Sequence, residues 1–165
     1  EVRNGVFPYY PGILYRLGEA YLNYAEALNE ANPGNPDILK YLNLIRERAG
    51  IPQYGSGAGM IPVPANQADM REAIHRERRV EMNCENIIRY FDIRRWKQGE
   101  KFLNGPFYGM NFMGEKVSDD DKDPKAFFTR KVYQNRVFEK KHYWFPVPQS
   151  EMDKNPNLVQ NPFWK

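Results

Sequence analysis

The sequence predicts a mainly α-helical fold of packed helix pairs joined to long irregular loops. Three observations predict it. Apolar residues recur at helical spacing through most of the first 98 residues. The first two periodic segments are joined by a short run, Asn32-Pro33-Gly34-Asn35-Pro36, the length of link that makes adjacent helices fold back on each other. From Phe102 to Arg136 the period disappears among Gly, Pro, aromatics and an acidic run. A chain of 165 residues suits one domain with a single core. It divides into helical pairs (1–98), a loop-rich excursion (99–148) and a C-terminal tail (149–165).

The lead-in Glu1–Gly12 reads as extended, punctuated by Pro8, Pro11 and Gly12. Ile13–Glu30 follows as a helix with Leu14, Leu17, Tyr21, Tyr24 and Leu28 as its apolar stripe. Asn35, Pro36 and Asp37 supply a cap, a first-turn proline and an early acid for the second helix. Its inner face is Ile38, Tyr41, Leu42 and Ile45, and Gly50 with Pro52 stops it. After a Gly/Pro loop, Asn66 or Asp69 caps a third helix that runs to about Glu85. Asn86 suits a left-handed break, and a shorter fourth helix covers Ile87–Gln98. Val132–Phe138 is either a strand or irregular. His142–Pro148 is extended, Gln149–Lys154 makes one helical turn, and the Asn/Pro-rich tail closes on Phe163-Trp164. Leu14-x-x-Leu17-Gly18-x-x-Tyr21 matches the opening of a tetratricopeptide repeat, and Gly18 there would admit a neighbouring helix. The match fades at Glu30, where that pattern wants a small residue.

Composition narrows the function classes. Net charge is +3 with both signs interspersed, which argues against a nucleic-acid surface. Cys84 is the single cysteine, so neither an intrachain disulfide nor a cysteine zinc site can form. No run of about 18 apolar residues spans a membrane, and no signal-peptide core is present. The chain starts at Glu1 rather than Met and reads as a mature or proteolysed piece, or an excised domain.

Met70–Lys97 carries the densest chemistry. Met70, Ile74, Glu77, Val80, Glu81, Cys84, Ile87 and Ile88 share one helical stripe, so two carboxylates sit on or beside a face that should be buried. Buried carboxylates need partners, and Arg78, Arg79, Arg89, Arg94 and Arg95 lie within the same block. Glu77, Glu81, Glu85 and Asp92 invite comparison with a glycosidase pair. Arginine partners favour the ionised form and spoil a general acid, so the block reads as a clamp between two helices, with no catalytic residue.

Other constellations are weaker. His75 and His142 are far apart, and His75-x-Glu77 lacks the second histidine of a metalloprotease helix. Asp119, Asp121 and Asp123 have calcium-loop spacing, but Pro124 and Arg130 replace the required Gly and Glu. The GSGAG turn at 55–59 has no lysine and opens no helix. No cofactor or metal site is therefore expected. Tyr21, Tyr24, Tyr41 and Trp96 fall on helical stripes and read as core. Tyr9, Tyr10, Phe107, Tyr108, Phe112, Tyr133, Tyr143 and Trp144 lie off helices, where aromatics either pin loops or offer faces on which sugar rings stack. The preferred ligand contacts are Tyr108 and its neighbour Phe107 in the Gly/Pro-framed GPFYGMNF loop.

Five ordered segments carry a resemblance over almost the whole chain: YRLGEAYLNYAEAL (15–28), LNLIRERAGIP (42–52), EAIHRERRVEMNCENIIRYFDIRRWK (72–97), YWFPVPQSEM (143–152) and NPNLVQNPFW (155–164). Together they resemble the C-terminal part of the SusD/RagB family of nutrient-binding outer-membrane lipoproteins. The family pattern often has Gly where Asn86 stands here. The resemblance implies tetratricopeptide-like helix pairs supporting a ligand-binding surface, and a lipid anchor on an N-terminal cysteine that this chain would lack. It implies an oligosaccharide or, in some branches, a peptide as ligand. A SusC-type TonB-dependent transporter is the implied partner. The end of the chain resembles the family's natural C-terminus. On this reading the chain is mostly scaffold and exposes apolar surface where the N-terminal part of the same protein docks. Two alternatives stay open: a tetratricopeptide-like peptide-binding adaptor, and a glycan-active enzyme using the Glu77/Glu81 region.

Overall fold

The computed structural model describes residues 12–85, 87–112 and 125–164. The chain divides into two compact units whose sequence boundary lies between Arg89 and Tyr90. The fold is mainly helical, as the periodicity predicts.

In the first unit, α1 (Leu17–Ala31) packs against α2 (Pro36–Arg48) and α3 (Gln67–Glu81). Local chemistry explains two of the helix starts. Asn35 accepts a hydrogen bond from the Asp37 amide at 3.0 Å while Pro36 occupies the first turn. Asn66, rather than Asp69, caps α3, accepting from the Asp69 amide at 2.9 Å. Gly50 adopts φ 68°, a left-handed conformation suited to glycine, just beyond the end of α2.

Helix α1 differs from expectation in start and in facing. Residues 13–16 are not helical, and Arg16 at the N-cap is extended with no side-chain cap. The buried residues are Leu22, Ala25 and Asn29. This stripe sits one position later than the predicted Leu17/Tyr21/Tyr24/Leu28, a rotation of about 100°. Leu14, Leu17 and Tyr24 are exposed, and Tyr21 and Leu28 are half-buried at the edge of the core. The helix carries two adjacent apolar stripes, and the one with the smaller Ala25 faces its neighbours. Tyr21 and Tyr24 instead meet Tyr41 of α2, with ring centroids 4.9 and 5.2 Å away.

The core joins Leu22 and Ala25 to Ile38, Leu42 and Ile45 of α2, Met70, Ala73 and Ile74 of α3, and Tyr54 and Met82 from the adjoining loops. Side-chain amides pin these elements where no sheet exists to do so. Asn43 and the Tyr54 backbone exchange two hydrogen bonds (2.8 and 3.0 Å). Asn29 and Gln67 each donate to the other's backbone carbonyl, at 3.1 and 2.9 Å. Helix α3 ends at Glu81, earlier than predicted, and Cys84 takes the left-handed conformation at φ 61°. The predicted break at Asn86 lies outside the described residues.

The second unit contains most of α4 (Ile88–Arg95), then α5 (Gly99–Phe102), β1 (Gly105–Gly109), α6 (Lys125–Phe128), β2 (Lys131–Arg136), a 3₁₀ turn (Lys140–Tyr143) and α7 (Gln149–Lys154). The region expected to be a loop-rich excursion thus contains an antiparallel hairpin, with Gly105 opposite Arg136 and Gly109 opposite Lys131. Phe107 pairs with Gln134 and Tyr108 with Val132, so Tyr133 is an extra residue at a bulge. The acidic run Asp119–Asp123 lies outside the described residues. The predicted extended stretch from His142 begins within the 3₁₀ turn; Gln149–Lys154 is helical as expected.

Phe138 is the buried centre of this unit. Its ring lies 4.9 Å from Tyr143 and 5.6 Å from His142, and a Cβ at Gly99 would come within 2.3 Å of it. Asn104 accepts from the Phe138 amide at 2.5 Å and donates to its carbonyl at 3.0 Å. Gln160 grips Val147 in the same reciprocal way (2.7 and 3.0 Å). The Trp164 indole donates to the carbonyls of Lys141 and Trp144, fastening the tail.

Candidate functional site

Three places concentrate chemistry: the carboxylates of α3, the aromatic hairpin, and a cleft in the second unit. Helical spacing brings Glu77 and Glu81 to the buried side of α3, as the stripe predicts. Their partners, however, come from outside the block. Arg46 of α2 bridges to Glu77, which also accepts from the Tyr54 hydroxyl at 3.0 Å. Arg16 and Arg48 both reach Glu81, and Arg16 also bonds Glu85 at 2.6 Å. Among the expected partners, Arg78 lies 3.7 Å from Glu19 and donates to Asn23 at 2.6 Å. Arg95 bridges to Asp92 at 3.1 Å, and Arg94 lies over the Tyr90 ring at 3.5 Å from its centroid.

The Arg16 hydrogen bond holds the Glu85 carboxyl below its ordinary range, and the same bond raises the Arg16 guanidinium. Burial pushes the Tyr54 phenol up. Gly18 serves this network rather than a helix crossing: a Cβ there would lie 2.6 Å from Arg16 and 3.2 Å from Glu81. Glu77 therefore ties α3 to α2, and Glu81 ties it to α2 and to the start of α1. Among the described residues, no group of three or more His, Cys, Asp or Glu is placed to hold a metal ion.

Phe107 and Tyr108, the preferred ligand contacts, lie on β1 rather than in a loop. Both are exposed, at 49% and 40%. The register of the strand pair shifts between these two residues. Each meets a cation: Arg136 stands 5.3 Å from the Phe107 centroid and Arg130 3.6 Å from that of Tyr108.

The cleft was not foreseen. Its volume is about 430 Å³, within the ~300–1,000 Å³ of small-molecule sites. Trp144 and Phe163 present exposed rings to it, with Tyr143 beside them. Lys97, Lys140, Arg94 and Arg95 bring positive charge, against the single carboxylate of Glu100. The walls are fixed. The Tyr143 hydroxyl accepts from the Gly99 amide at 2.9 Å, and Arg94 donates to the His142 carbonyl at 3.3 Å. Trp144 and Tyr143 stood among the off-helix aromatics of the sequence. Phe163 and the lysines carried no local signal, because the cleft gathers them from positions 94 to 163.

The sequence pattern of the SusD family matches residues 9–164. Two SusD-like proteins of Formosa agariphila, P2 and P25, are 32% and 29% identical over 88% and 90% of the chain. A SusD-like protein from Bacteroides fragilis superposes with a TM-score of 0.69 at 30% identity over 89% of the chain. A second B. fragilis structure, described as a SusD-like carbohydrate-binding protein, gives 0.63 at 33% identity over 86%. The chain covers 23–24% of the two curated relatives and 25–27% of the two solved structures. The five sequence segments, the helical scaffold and these matches agree: the chain belongs to the SusD family.

Proposed function

We propose that the protein containing this chain is a non-catalytic, cell-surface glycan-binding protein of the outer membrane that delivers its ligand to a SusC-type TonB-dependent transporter. These residues form mainly its helical scaffold. The observation that carries the reading is family membership along nearly the whole chain, together with the likeness to a carbohydrate-binding relative. Because the chain spans about a quarter of its relatives' length, we assign the lipid anchor and most ligand contacts to residues outside it. Among the described residues no helix is long and apolar enough to cross a membrane. A non-catalytic role is supported by the occupation of Glu77 and Glu81 by guanidinium groups. Tyr108 and Phe107 are proposed as secondary ligand contacts through ring area left exposed on the hairpin.

Calorimetric titration with oligosaccharides, with mass spectrometry of the recovered sugar, tests the reading. The expected result is saturable binding with no cleavage, weakened by Tyr108→Ala. Co-purification with the neighbouring transporter tests delivery. Cleavage of the sugar, or no binding to any oligosaccharide, would overturn the proposal.

A further inference from the structure

Glycan capture leaves the chemistry of the glycan open, and the cleft of the second unit bears on it. Trp144 and Phe163 offer exposed aromatic faces of the kind that receive the apolar face of a pyranose ring. Beside them stand Lys97, Lys140 and Arg94. Lys97 and Lys140 make no salt bridge among the described residues, and both are exposed. Arg94 lies over the Tyr90 ring and donates to the carbonyls of Tyr90 and His142, which fixes the position of its charge. Backbone geometry adds an independent observation. Three non-glycine residues among those described have positive φ, and two of them, Lys97 (52°) and Phe163 (70°), line this cleft. A left-handed conformation costs roughly 1–2 kcal/mol for such residues, and strain of this kind concentrates at functional sites.

Resting on the glycan-binding reading above, we propose that this cleft is a subsite for an anionic saccharide, a pyranose bearing a carboxylate or sulfate group. The sugar ring stacks on Trp144 and Phe163, the acidic substituent meets Lys97 and Lys140, and Glu100 accepts a hydroxyl. A nucleic acid fits less well, because the chain intersperses both charge signs at a net +3 rather than presenting a basic stripe. The cleft needs little reorganisation: Trp164 and Arg94 already bind the backbone of the 141–144 segment.

The test is calorimetry on the whole protein with three probes of equal length: an oligogalacturonate, a sulfated oligosaccharide and a neutral oligosaccharide. At least one acidic probe should bind about tenfold or more tightly than the neutral one. That preference should shrink as salt rises from about 0.05 to 0.5 M. Lys97→Asn combined with Lys140→Gln should remove it, bringing acidic binding down to the level of the neutral probe; asparagine keeps access to the left-handed backbone. Trp144→Ala should weaken acidic binding, with circular dichroism confirming the fold. Preference for the uronate or for the sulfate identifies the substituent, and either supports the proposal. Neutral binding with no acidic preference, or acidic binding indifferent to both variants, overturns this subsite and leaves glycan capture standing. Binding of none of the three overturns both readings for these sugars.

Discussion

Replacing Glu77 by Gln separates a clamp from a catalyst. The Glu77 and Arg46 side chains are only 8% and 11% exposed, so solvent screens this pair weakly. Arg46 is also fastened by the Pro52 carbonyl and the Tyr54 ring, whose centroid is 4.9 Å away, so it cannot swing out to water without breaking those contacts. Removing one partner of a buried pair costs about 3–5 kcal/mol, because the other charge is left uncompensated. Glutamine keeps an acceptor for the Tyr54 hydroxyl, which places the expected loss near the lower end, about 3 kcal/mol. In a protein of 150–250 residues that corresponds to a fall in Tm of about 6–12 °C. Glu30→Gln is the control. Its bridge to Arg71 is 46% and 37% exposed on the two sides, so it should cost at most about 1 kcal/mol. Replacing Glu77 and Arg46 together by apolar residues should recover much of the loss. Urea unfolding measures all of these. A Glu77→Gln cost no larger than that of Glu30→Gln would refute the clamp.

Further outcomes follow from other sites. Glu85 and Glu30 are held below their ordinary value of 4.5 by Arg16 and Arg71. Their contribution to stability is therefore complete above about pH 4.5 and lost as pH falls through their lowered values; Arg16→Gln should flatten that acid limb in unfolding titrations. Gly99→Ala would press a methyl against Phe138 and should cost about 1–3 kcal/mol by denaturant melt, partly recovered by Phe138→Leu. Asn66→Ala should cost about 1 kcal/mol through the lost cap of α3. Cys84→Gly should raise stability by up to about 1 kcal/mol by relieving its left-handed backbone.

The helices were legible where the signal was local. The Asn35-Pro36-Asp37 start and the buried positions of Glu77 and Glu81 follow from spacing within one turn or along one stripe, whereas the cap of α3 is narrowed only to Asn66 or Asp69. What depended on distant residues was not. Two apolar stripes on α1 made its facing ambiguous, and only packing selected Leu22/Ala25/Asn29. The partners of Glu81 and Glu85 include Arg16, 65 and 69 positions away. The strand alternative for Val132–Phe138 corresponds to β2, but β1 and its pairing are not legible, because the strands lie more than twenty residues apart and alternate no apolar face; both are largely exposed. The cleft is hidden for a similar reason: Lys140, Tyr143 and Trp144 are neighbours in sequence, but Lys97, Glu100 and Phe163 come from distant segments.

Arg16 and Glu81 are each misplaced on their own helices. A cation at the N-cap of α1 and an acid in the last turn of α3 both oppose the local dipole. Arg16 bonds the Glu81 side chain and also its backbone carbonyl, at 2.7 Å. Each residue thus corrects the other's fault, but only when both helix ends are formed. The start of α1 and the end of α3 consequently behave as one cooperative element, with little reason to form separately. Amide exchange in the first turn of α1 should speed up together with exchange in the last turn of α3 when Arg16 is neutralised, linking two stretches that lie far apart along the chain.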